Sequence, residues 1–523
     1  MLNHYDVIVI GGGLGGLTAA ALIAQAGRKT LLIERNREVG GAASTYRIGD
    51  LAVEASLHET SDPHDPVDPK HHVLARLGVL DAVEWVSTQS LYEVRGGPVG
   101  EPFVLPDSFA KAQGALVERF PSATAAINSV LGDMECIAIG LGILSKGRHA
   151  FQNPMDGISA IIRLGPVLRG WRLSVAERFD RAFDGNEAVK CALAANLPYY
   201  HDDPAGLWWI LFAVAQGGFL ASGGRYVRGG SHLLSHAIAK AFKSAGGEIL
   251  LGHTATEIMI DVGGRPLGVA HSRSEDGERI ETRAPVLVGN AAPMVVANML
   301  PQFARERFWS RYARHRLSIS LFSATFGLSA PPTELGLKNY STVLLPKWMR
   351  ELADYRRCGE MLAGMPAEAM PPVPIVNYSA IDSGLGGPPY SVSVVGIDRT
   401  SNWSGLDAAG YDAKRARWRH TIIEAVDREF PGFGGRVAAS TFNTASTISS
   451  YLNAPEGAIY GFAPSPPIGP IWRGVEQSPN TPIHGLYLAS SYAGAGGFTG
   501  AILAGAAAAE QVLMDRGAFK LAS

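Results

Sequence analysis

Residues 6–41 of the chain read DVIVIGGGLGGLTAAALIAQAGRKTLLIERNREVGG. An apolar, strand-like run that ends at Ile10 gives way to a glycine cluster, and a helix of small residues is predicted from about Leu14 to Gln25. A second apolar strand is predicted from Thr30 to Ile33. Strand, helix and parallel strand together form the βαβ unit on which dinucleotides bind. The stretch therefore predicts an α/β fold with a nucleotide-binding domain.

The glycines of this stretch follow the spacing G-x-G-x-x-G, which Gly11, Gly13 and Gly16 fill, with Gly15 beside the last of them. In this motif the first glycine permits a tight turn, the second lets the backbone approach a pyrophosphate, and the third packs the helix on the strand. The helix N-terminus faces the phosphates because its free N–H groups and its dipole favour anions. Glu34, at the end of the second strand, is placed to accept hydrogen bonds from a ribose diol.

The residues that follow narrow the identity of the nucleotide. Arg35, Gly40 and Gly41 extend the motif to E-R-x-x-x-x-G-G, which resembles the flavoprotein form of the fold. In that form the second glycine pair lets the chain pass close to the pyrophosphate of FAD, whereas plain NAD dehydrogenases generally lack the extension. We therefore expect FAD as the cofactor.

Composition excludes several classes of protein. The formal net charge of the 523 residues is −2, so the overall balance gives no argument for nucleic acid as a partner. Cys136, Cys191 and Cys358 are far apart and form no C-x-x-C pair, which excludes a dithiol–flavin disulfide reductase and a zinc framework. This cysteine usage is typical of a reducing compartment, and no basic region precedes the first apolar run. We expect a cytoplasmic protein without a signal peptide.

Membrane contact is a separate question. No consecutive apolar run reaches the roughly 18 residues that a spanning helix needs, and the closest is Leu207 to Ala215. The stretch 157–183 carries five arginines among apolar and aromatic residues, with only Glu177 and Asp180 to balance them. Such a stretch can lie in a membrane interface, at the inner face of the membrane. An ordinary surface helix with a solvated basic face is the open alternative, because Pro166 interrupts the helix.

Four histidines fall between His58 and His72 and invite comparison with a metal site. Pro63, Pro66 and Pro69 prevent the helix that would bring ligands at i and i+4 together. We therefore expect no metal.

The end of the chain carries a second glycine-rich turn. An apolar strand that ends at Ala489 is followed by several glycines, among them Gly496 and Gly497, and then by another small-residue helix. The N-terminus of that helix can direct N–H groups at the O2/N1 side of a flavin ring, whose reduced form is negatively charged. A membrane helix dimer is the alternative for a small-residue stripe, and the glycine and threonine turn before the helix argues against it.

Changes in character along the chain indicate two discontinuous domains. Residues 1–60, 222–294 and 440–523 are predicted to form a Rossmann-like FAD-binding domain. Residues 61–221 and 295–439 are predicted to form a substrate-binding, membrane-facing domain of α+β type, with a mixed sheet plus helices.

Over its whole length the chain resembles the flavin amine oxidase superfamily, and within it the group of phytoene desaturases, carotenoid isomerases and retinol saturases. Besides the N-terminal motif, the resemblance lies in four segments: RYVRGGSHLLSHAIAKAFKSAGGEI at 225–249, VLVGNAAP at 286–293, STISSYLNAPEGAIYGFA at 446–463, and LYLASSYAGAGGFTGAILAG at 486–505.

The resemblance implies one extended FAD per chain, peripheral membrane association and a lipophilic isoprenoid or polyene substrate, such as a carotenoid or retinoid. It also implies that Ala255 supplies backbone contacts near the adenine. Relatives often carry Gly-Asp where this chain has Ser490 and Ser491, so the ribityl contact is made differently or by Ser491. The remaining residues implied at the flavin end are Gly496, Gly497 and Phe498.

The function expected from these features is FAD-dependent redox chemistry at a carbon–carbon bond, as desaturation, saturation or isomerisation. No second glycine motif lies on a βαβ unit, so the electron donor or acceptor is expected to be external. Two alternatives remain open: a flavin amine oxidase acting on a soluble amine, and a non-catalytic flavin-binding scaffold. No acid–base dyad is evident, and each residue that could move a proton is also explained by a structural role: His58, Glu59, Tyr226, Tyr451 and Tyr460.

Overall fold

A computed structural model describes residues 4–56, 58–145, 158–159, 162–366 and 369–515. Residues 157, 160 and 161 of the basic stretch lie outside the described residues. The strands are β1 Val7–Ile10, β2 Thr30–Ile33, β3 Thr45–Ile48, β4 Leu51–Glu54, β5 Thr60–Ser61, β6 Trp85–Ser87, β7 Tyr92–Gly96, β8 Gly100–Leu105, β9 Gly224–Val227, β10 Glu248–Leu250, β11 His253–Ile260, β12 Pro266–Arg273, β13 Arg279–Arg283, β14 Val286–Gly289, β15 Ser320–Leu328, β16 Ser341–Leu345, β17 Val373–Asn377, β18 Tyr390–Asp398, β19 Val437–Asn443 and β20 Leu486–Leu488.

The α-helices are numbered in chain order as well. They are α1 Leu14–Gln25, α2 His71–Leu77, α3 Phe109–Arg119, α4 Thr124–Ser145, α5 Leu164–Gly170, α6 Val175–Phe183, α7 Glu187–Ala194, α8 Trp209–Ser222, α9 His232–Ser244, α10 Pro293–Met299, α11 Gln302–Trp309, α12 Ala408–Glu429, α13 Phe433–Arg436, α14 Ala445–Leu452 and α15 Gly497–Met514.

A five-stranded parallel sheet in the order β10-β2-β1-β14-β20 carries the N-terminal motif. Its strands come from both ends and from the middle of the chain, and the central strands are buried on both faces, as parallel strands covered by helices are. The α/β fold and the βαβ unit at the N-terminus are confirmed. The exact domain boundaries given above stay a prediction.

Helix α1 is buried on nearly all sides because it lies between the sheet and two other helices, α9 and α15. Contact with α15 is close. A Cβ atom added at Gly505 would lie 2.2 Å from the carbonyl oxygen of Gly15 and 2.9 Å from Thr18 Cβ. The small residues of α15 therefore serve a helix pair within the chain, since only glycine permits this approach.

A second, seven-stranded mixed sheet in the order β19-β15-β18-β17-β16-β7-β8 forms the other half of the molecule. All its pairings are antiparallel except that of β16 with β7. Helices α3 to α8 pack beside it in one hydrophobic core that includes Tyr92, Phe179 and Trp209. The predicted combination of a mixed sheet and helices is thus observed.

Strand β9 begins at Gly224 and pairs with β5 and β6 in a small antiparallel sheet. The stretch from Glu248 to Ile260 forms two strands, because the chain turns at Gly252, whose φ is +67°. β10 extends the parallel sheet, whereas β11 begins an antiparallel sheet with β12 and β13.

Two helices in the described part of the chain, Pro121–Leu144 and Gly497–Met514, are long and apolar enough to cross a bilayer by length and composition alone. A count of consecutive apolar residues missed them, because small and polar residues interrupt both runs. Half of the most apolar window of the first helix and 39% of that of the second are buried inside the protein. Core helices pass the same test, so this is weak evidence for a span.

Candidate active site

The glycine motif forms a cradle at the carboxyl ends of β1 and β2. Gly11 has φ +100°, and a Cβ at Gly16 would lie 2.1 Å from the Gly11 carbonyl oxygen. The second glycine pair returns to the same place, since Gly40 N donates to the Gly12 carbonyl over 2.8 Å. Gly13 is the N-cap of α1 and provides no side chain to its free N–H groups. The cradle therefore presents backbone donors and no side-chain bulk, as a pyrophosphate requires.

Glu34 is buried at the rim of this cradle. Its Oε2 accepts a hydrogen bond from Gly12 N over 2.6 Å, and its Oε1 accepts one from Asn36 N over 2.8 Å. The carboxylate thereby holds the glycine loop and keeps free acceptor capacity, because each carboxylate oxygen can accept more than one hydrogen bond. Glu34 lines the cavity described below.

Arg35 has a role that its sequence position did not reveal. Its Nη2 donates to the carbonyl oxygens of Ser450, over 2.6 Å, and of Tyr451, at the C-terminal end of α14. A cation is favourable at a helix C-terminus, where the last carbonyl groups lack helical partners. Arg35 thus joins the nucleotide motif to a helix from the last quarter of the chain, and it also lines the cavity.

The C-terminal glycine turn lies beside the N-terminal one. A Cβ at Gly15 would fall 2.0 Å from the Ala489 carbonyl oxygen, and Gly496 is the N-cap of α15, again without a side-chain cap. Gly496 also packs on the backbone of Tyr460, 2.6 Å from its carbonyl oxygen to the position of an added Cβ. Two helices with uncapped N-termini, α1 and α15, therefore open on the same space.

One continuous cavity of about 1430 Å³ connects these features. It is lined at the nucleotide end by nearly all the residues expected to bind the cofactor: Gly11, Gly13, Gly15, Glu34, Arg35, Gly40, Gly41, Ala255, Ser491, Gly496, Gly497 and Phe498. Gly16 is the exception, because it packs α1 on the turn. From this end the cavity extends between α4, α8 and residues 58–69 into a chamber with apolar walls, which include Leu141, Trp208, Leu211, Val214 and Phe219.

His58 lies in the wall of the chamber. Its Nδ1 is 2.8 Å from the Tyr378 hydroxyl, and its carbonyl accepts a hydrogen bond from Tyr340. Burial lowers the pKa of His58 to about 4, so the imidazole is neutral at neutral pH. Its packing among tyrosines gives it a structural role, and its position on the cavity leaves it within reach of a ligand.

Glu59 and Tyr199 are among the cavity-lining residues that carry a buried polar atom without a hydrogen bond of ordinary geometry within the described residues. The atoms are Glu59 Oε2 and the Tyr199 hydroxyl oxygen. Burial, with Asp107 nearby, raises the pKa of Glu59 to about 8. The carboxyl group is therefore largely protonated at neutral pH and can donate a hydrogen bond.

Of the three remaining candidates for proton transfer, Tyr451 and Tyr460 line the cavity and Tyr226 does not. Tyr226 is absent from the cavity wall, because its hydroxyl donates to Glu54 Oε2 over 2.9 Å. Tyr451 and Tyr460 line the cavity, Tyr451 with its hydroxyl 3.4 Å from Ser44 Oγ and Tyr460 beside the C-terminal glycine turn.

Sequence reasoning missed three polar residues. Glu54 accepts hydrogen bonds from Thr45, Tyr226 and Ser231, and so joins β4 to β9 and the start of α9. A single acid in the apolar run LAVEA was a signal that could have indicated a buried partner network. Tyr199 and Asn196 carry no such signal, since their place on the cavity depends on long-range packing.

No group of three or more histidine, cysteine or acidic side chains that could hold a metal lies within residues 4–515 as far as they are described. The clustered histidines have other contacts. His64 pairs with Asp81 over 3.1 Å, and the His71 Nδ1 lies 2.8 Å from the Pro63 carbonyl oxygen.

Comparison with known proteins finds a matching domain model at the N-terminus and relatives along most of the chain. Residues 9–68 match the model of an NAD(P)-binding Rossmann-like domain. All-trans-retinol 13,14-reductase of Macaca fascicularis is 25% identical over 482 residues, covering 87% of this chain and 77% of that protein. Phytoene desaturase (neurosporene-forming) of Rhodobacter capsulatus is 25% identical over 508 residues, covering 94% of this chain and 90% of that protein.

Solved structures share the fold along the whole chain. An oxidoreductase from Methanosarcina mazei has a TM-score of 0.61 at 15% identity and covers 96% of this chain and 99% of its own. Putrescine oxidase bound to putrescine has a TM-score of 0.58 at 14% identity and covers 98% of both chains. The sequence relatives and the fold agree with the motifs quoted above and are consistent with the phytoene desaturase and retinol saturase group of the flavin amine oxidase superfamily.

Proposed function

We propose that the protein is an FAD-dependent oxidoreductase that acts on a carbon–carbon bond of a lipophilic isoprenoid or polyene. The observation that carries the proposal is the single cavity that connects the nucleotide cradle with an apolar chamber. Relatives named as a retinol 13,14-reductase and a phytoene desaturase support this reaction class, because both names describe redox chemistry at carbon–carbon bonds.

The residues present fit FAD. The cradle of Gly11, Gly13 and Gly40 would hold the pyrophosphate, and Glu34 would bind the ribose near Ala255. The uncapped N-terminus of α15 at Gly496 would face the ring. When bound there, FAD would supply a hydride acceptor or donor at the point where the cradle opens into the chamber.

The chain's own contribution is to bind, orient and exclude water. Apolar walls from α4 and α8 would align an extended hydrocarbon chain, since they offer it no competing hydrogen bonds. His58 is held neutral by burial, and Glu59 retains its proton at neutral pH. Glu59 therefore holds a proton at the cavity, where its Oε2 is buried without a hydrogen bond of ordinary geometry in the part of the chain that the structure describes.

Mass spectrometry tests both parts of the proposal. Flavin released from the purified protein should be FAD rather than FMN. The protein should then be incubated without oxygen, oxidised or reduced by dithionite, with a lipid extract of its host. A mass change of two units in a polyene or other isoprenoid supports the proposal and gives the direction of the reaction. Protein from which the flavin has been removed is the control.

An amine oxidase is the weaker alternative. Likeness to putrescine oxidase rests on 14% identity and concerns the fold, whereas a retinol 13,14-reductase and a phytoene desaturase are each 25% identical over most of the chain. Bleaching of the flavin by soluble amines, with peroxide release and no reaction with lipids, would overturn our proposal. A flavin that no substrate reduces or reoxidises would indicate a scaffold.

We also propose that the protein contacts a membrane at the entrance to the chamber. Trp171 Nε1 donates to the Gly469 carbonyl over 3.0 Å and so joins the basic stretch to residues 464–475. Ile468 is 97% exposed and Trp472 is 85% exposed. Val475 is exposed and also lines the cavity, so the cavity reaches the surface beside this patch.

Charge supports a lipid partner for the patch. Arg172 and Arg473 are exposed beside it, and arginines near an apolar surface favour anionic head groups. The proposed location is the cytoplasm, at the inner face of a membrane, in keeping with the free cysteines.

Liposome sedimentation tests this contact. The double substitution Ile468→Ala and Trp472→Ala should lower binding to vesicles of phosphatidylglycerol and phosphatidylcholine by more than about tenfold, because each large side chain contributes roughly 1.5–3 kcal/mol when buried. Phe303→Ala, at a 64% exposed aromatic residue of α11, is the matched control. Equal binding by both variants would contradict the proposal.

A further inference from the structure

The chamber contains a group of polar atoms that the protein itself leaves without partners. Glu59 Oε2, the Tyr199 hydroxyl and Asn196 Oδ1 are all buried without a hydrogen bond of ordinary geometry in the described part of the chain, although the Thr88 hydroxyl lies beside the Glu59 carboxyl group, and all three residues line the cavity. They lie near one another. Tyr199 N donates to the Asn196 carbonyl over 2.9 Å, and Glu59 is close enough to raise the pKa of Tyr199, second only to burial.

The orientation of Asn196 follows from its neighbours. Gln216 Nε2 donates to the Leu193 carbonyl over 3.2 Å, which makes Gln216 Oε1 an acceptor. That oxygen accepts from Asn196 Nδ2 over 2.8 Å and from the Tyr200 hydroxyl over 3.0 Å. The Asn196 amide nitrogen is thereby engaged, and its oxygen is left as a free acceptor.

Tyr199 is held by packing. Its ring lies 6.0 Å from that of His58, centroid to centroid, and its hydroxyl is the part without a partner. Tyr92 offers a contrast in the same core, because its hydroxyl donates to the Ala192 carbonyl over 3.0 Å and it does not line the cavity.

Burying a polar group without a hydrogen bond is unfavourable, and most buried polar groups in proteins are paired. Three such atoms on the lining of one cavity indicate that a ligand completes their hydrogen bonds. A protonated Glu59 and Tyr199 are donors, and Asn196 is an acceptor. A hydroxyl or carbonyl group satisfies this set, whereas a plain hydrocarbon leaves every member unpaired.

We infer that Glu59, Tyr199 and Asn196 form a recognition site for one hydroxyl or carbonyl group on an otherwise apolar isoprenoid ligand. The inference rests on the proposed function in taking the chamber as the substrate site. It adds that the protein selects oxygenated isoprenoids over hydrocarbons.

A binding experiment without turnover tests this. The oxidised holoprotein is titrated with all-trans-retinol and, separately, with the polyene hydrocarbon that lacks only its hydroxyl group. Quenching of tryptophan fluorescence reports binding, since Trp208 lines the cavity. The wild-type protein should bind the alcohol about tenfold more tightly, as expected when an unpaired buried group gains a partner.

Substitutions at Tyr199 and Glu59 test whether these residues cause the preference for the alcohol over the hydrocarbon. Tyr199→Phe and Glu59→Leu should each reduce it severalfold, and Glu59→Gln, which can still donate, should retain most of it. Tyr92→Phe is the matched control and should keep the full preference. Far-ultraviolet circular dichroism and the flavin spectrum verify that each variant is folded.

Outcomes separate this inference from the proposed function. Equal affinity for alcohol and hydrocarbon, or a preference that survives both Tyr199→Phe and Glu59→Leu, overturns the inference and leaves the redox proposal standing. Failure of the lipid extract to show any mass change, together with a clear alcohol preference, counts against the redox proposal alone. If neither the alcohol nor the hydrocarbon binds, the inference is overturned.

Discussion

The close contact between α1 and α15 gives a sharp prediction for Gly505→Ala. In an open helix, alanine in place of glycine stabilises by up to about 1 kcal/mol. At position 505 the new Cβ lies 2.2 Å from the Gly15 carbonyl oxygen, whereas ordinary contact begins at 3.4 Å. The helices must therefore separate by about 1.2 Å, from 2.2 to 3.4 Å. Because overpacking typically costs 1–3 kcal/mol, we expect a net loss of about 2 kcal/mol.

Gly114→Ala is the matched control. Gly114 lies within α3, and nothing is within 4 Å of its added Cβ, so this substitution should stabilise by up to about 1 kcal/mol. The two variants differ only in their surroundings, which gives a predicted difference of about 3 kcal/mol between two identical chemical changes.

Urea unfolding followed by tryptophan fluorescence measures the stability, and flavin fluorescence measures retention of the cofactor. Gly505→Ala should unfold at lower urea and release flavin more readily, since α1 and α15 both open on the nucleotide cradle. If Gly505→Ala is as stable as Gly114→Ala and holds its flavin equally well, the described contact between the helices is wrong.

Three further predictions concern buried polar groups. Glu34→Gln should lose about 1–3 kcal/mol of stability and weaken nucleotide binding in an equilibrium titration. The reason is that the amide oxygen can accept from only one of Gly12 N and Asn36 N, and the amide N–H then faces the other. Undiminished affinity would contradict the role given to Glu34. The pKa of Glu59 is raised from 4.5 to about 8, so the free energy of unfolding of the wild type falls as the pH rises between these values. From pH 5 to pH 8, Glu59→Gln should therefore become more stable relative to the wild type, by a few kcal/mol at most. If urea titrations show a stability difference that does not change with pH, this carboxyl group is not buried. Tyr92→Phe should lose about 1 kcal/mol, whereas Tyr199→Phe should lose nothing, since only the Tyr92 hydroxyl makes a hydrogen bond within the protein; the reverse order in thermal unfolding would argue against both assignments.

The nucleotide half of the fold could be predicted because its determinants are local. The predicted bounds of α1 and β2 coincide with those observed, since glycine spacing and apolar runs set them within a few residues. The chamber could not be predicted in the same way. Tyr199 and Asn196 become neighbours of Glu59 only through packing across the core, and the contacts of Arg35 with Ser450 and Tyr451 join segments more than 400 residues apart. Such partners leave no periodic signal in a single sequence.

The elements that form the cofactor cradle are synthesised at very different times, because they lie at both ends of the chain. α1 is covered on one side by α9 and on the other by α15, and its sheet is completed only by β20. The ribosome delivers these pieces in sequence, with the glycine motif first and its covering helix last. Helix α1 therefore lacks α15, and its sheet lacks β20, until nearly the whole chain has been synthesised. A chain that stops before residue 486 would carry the complete G-x-G-x-x-G motif and still lack one wall of the cradle.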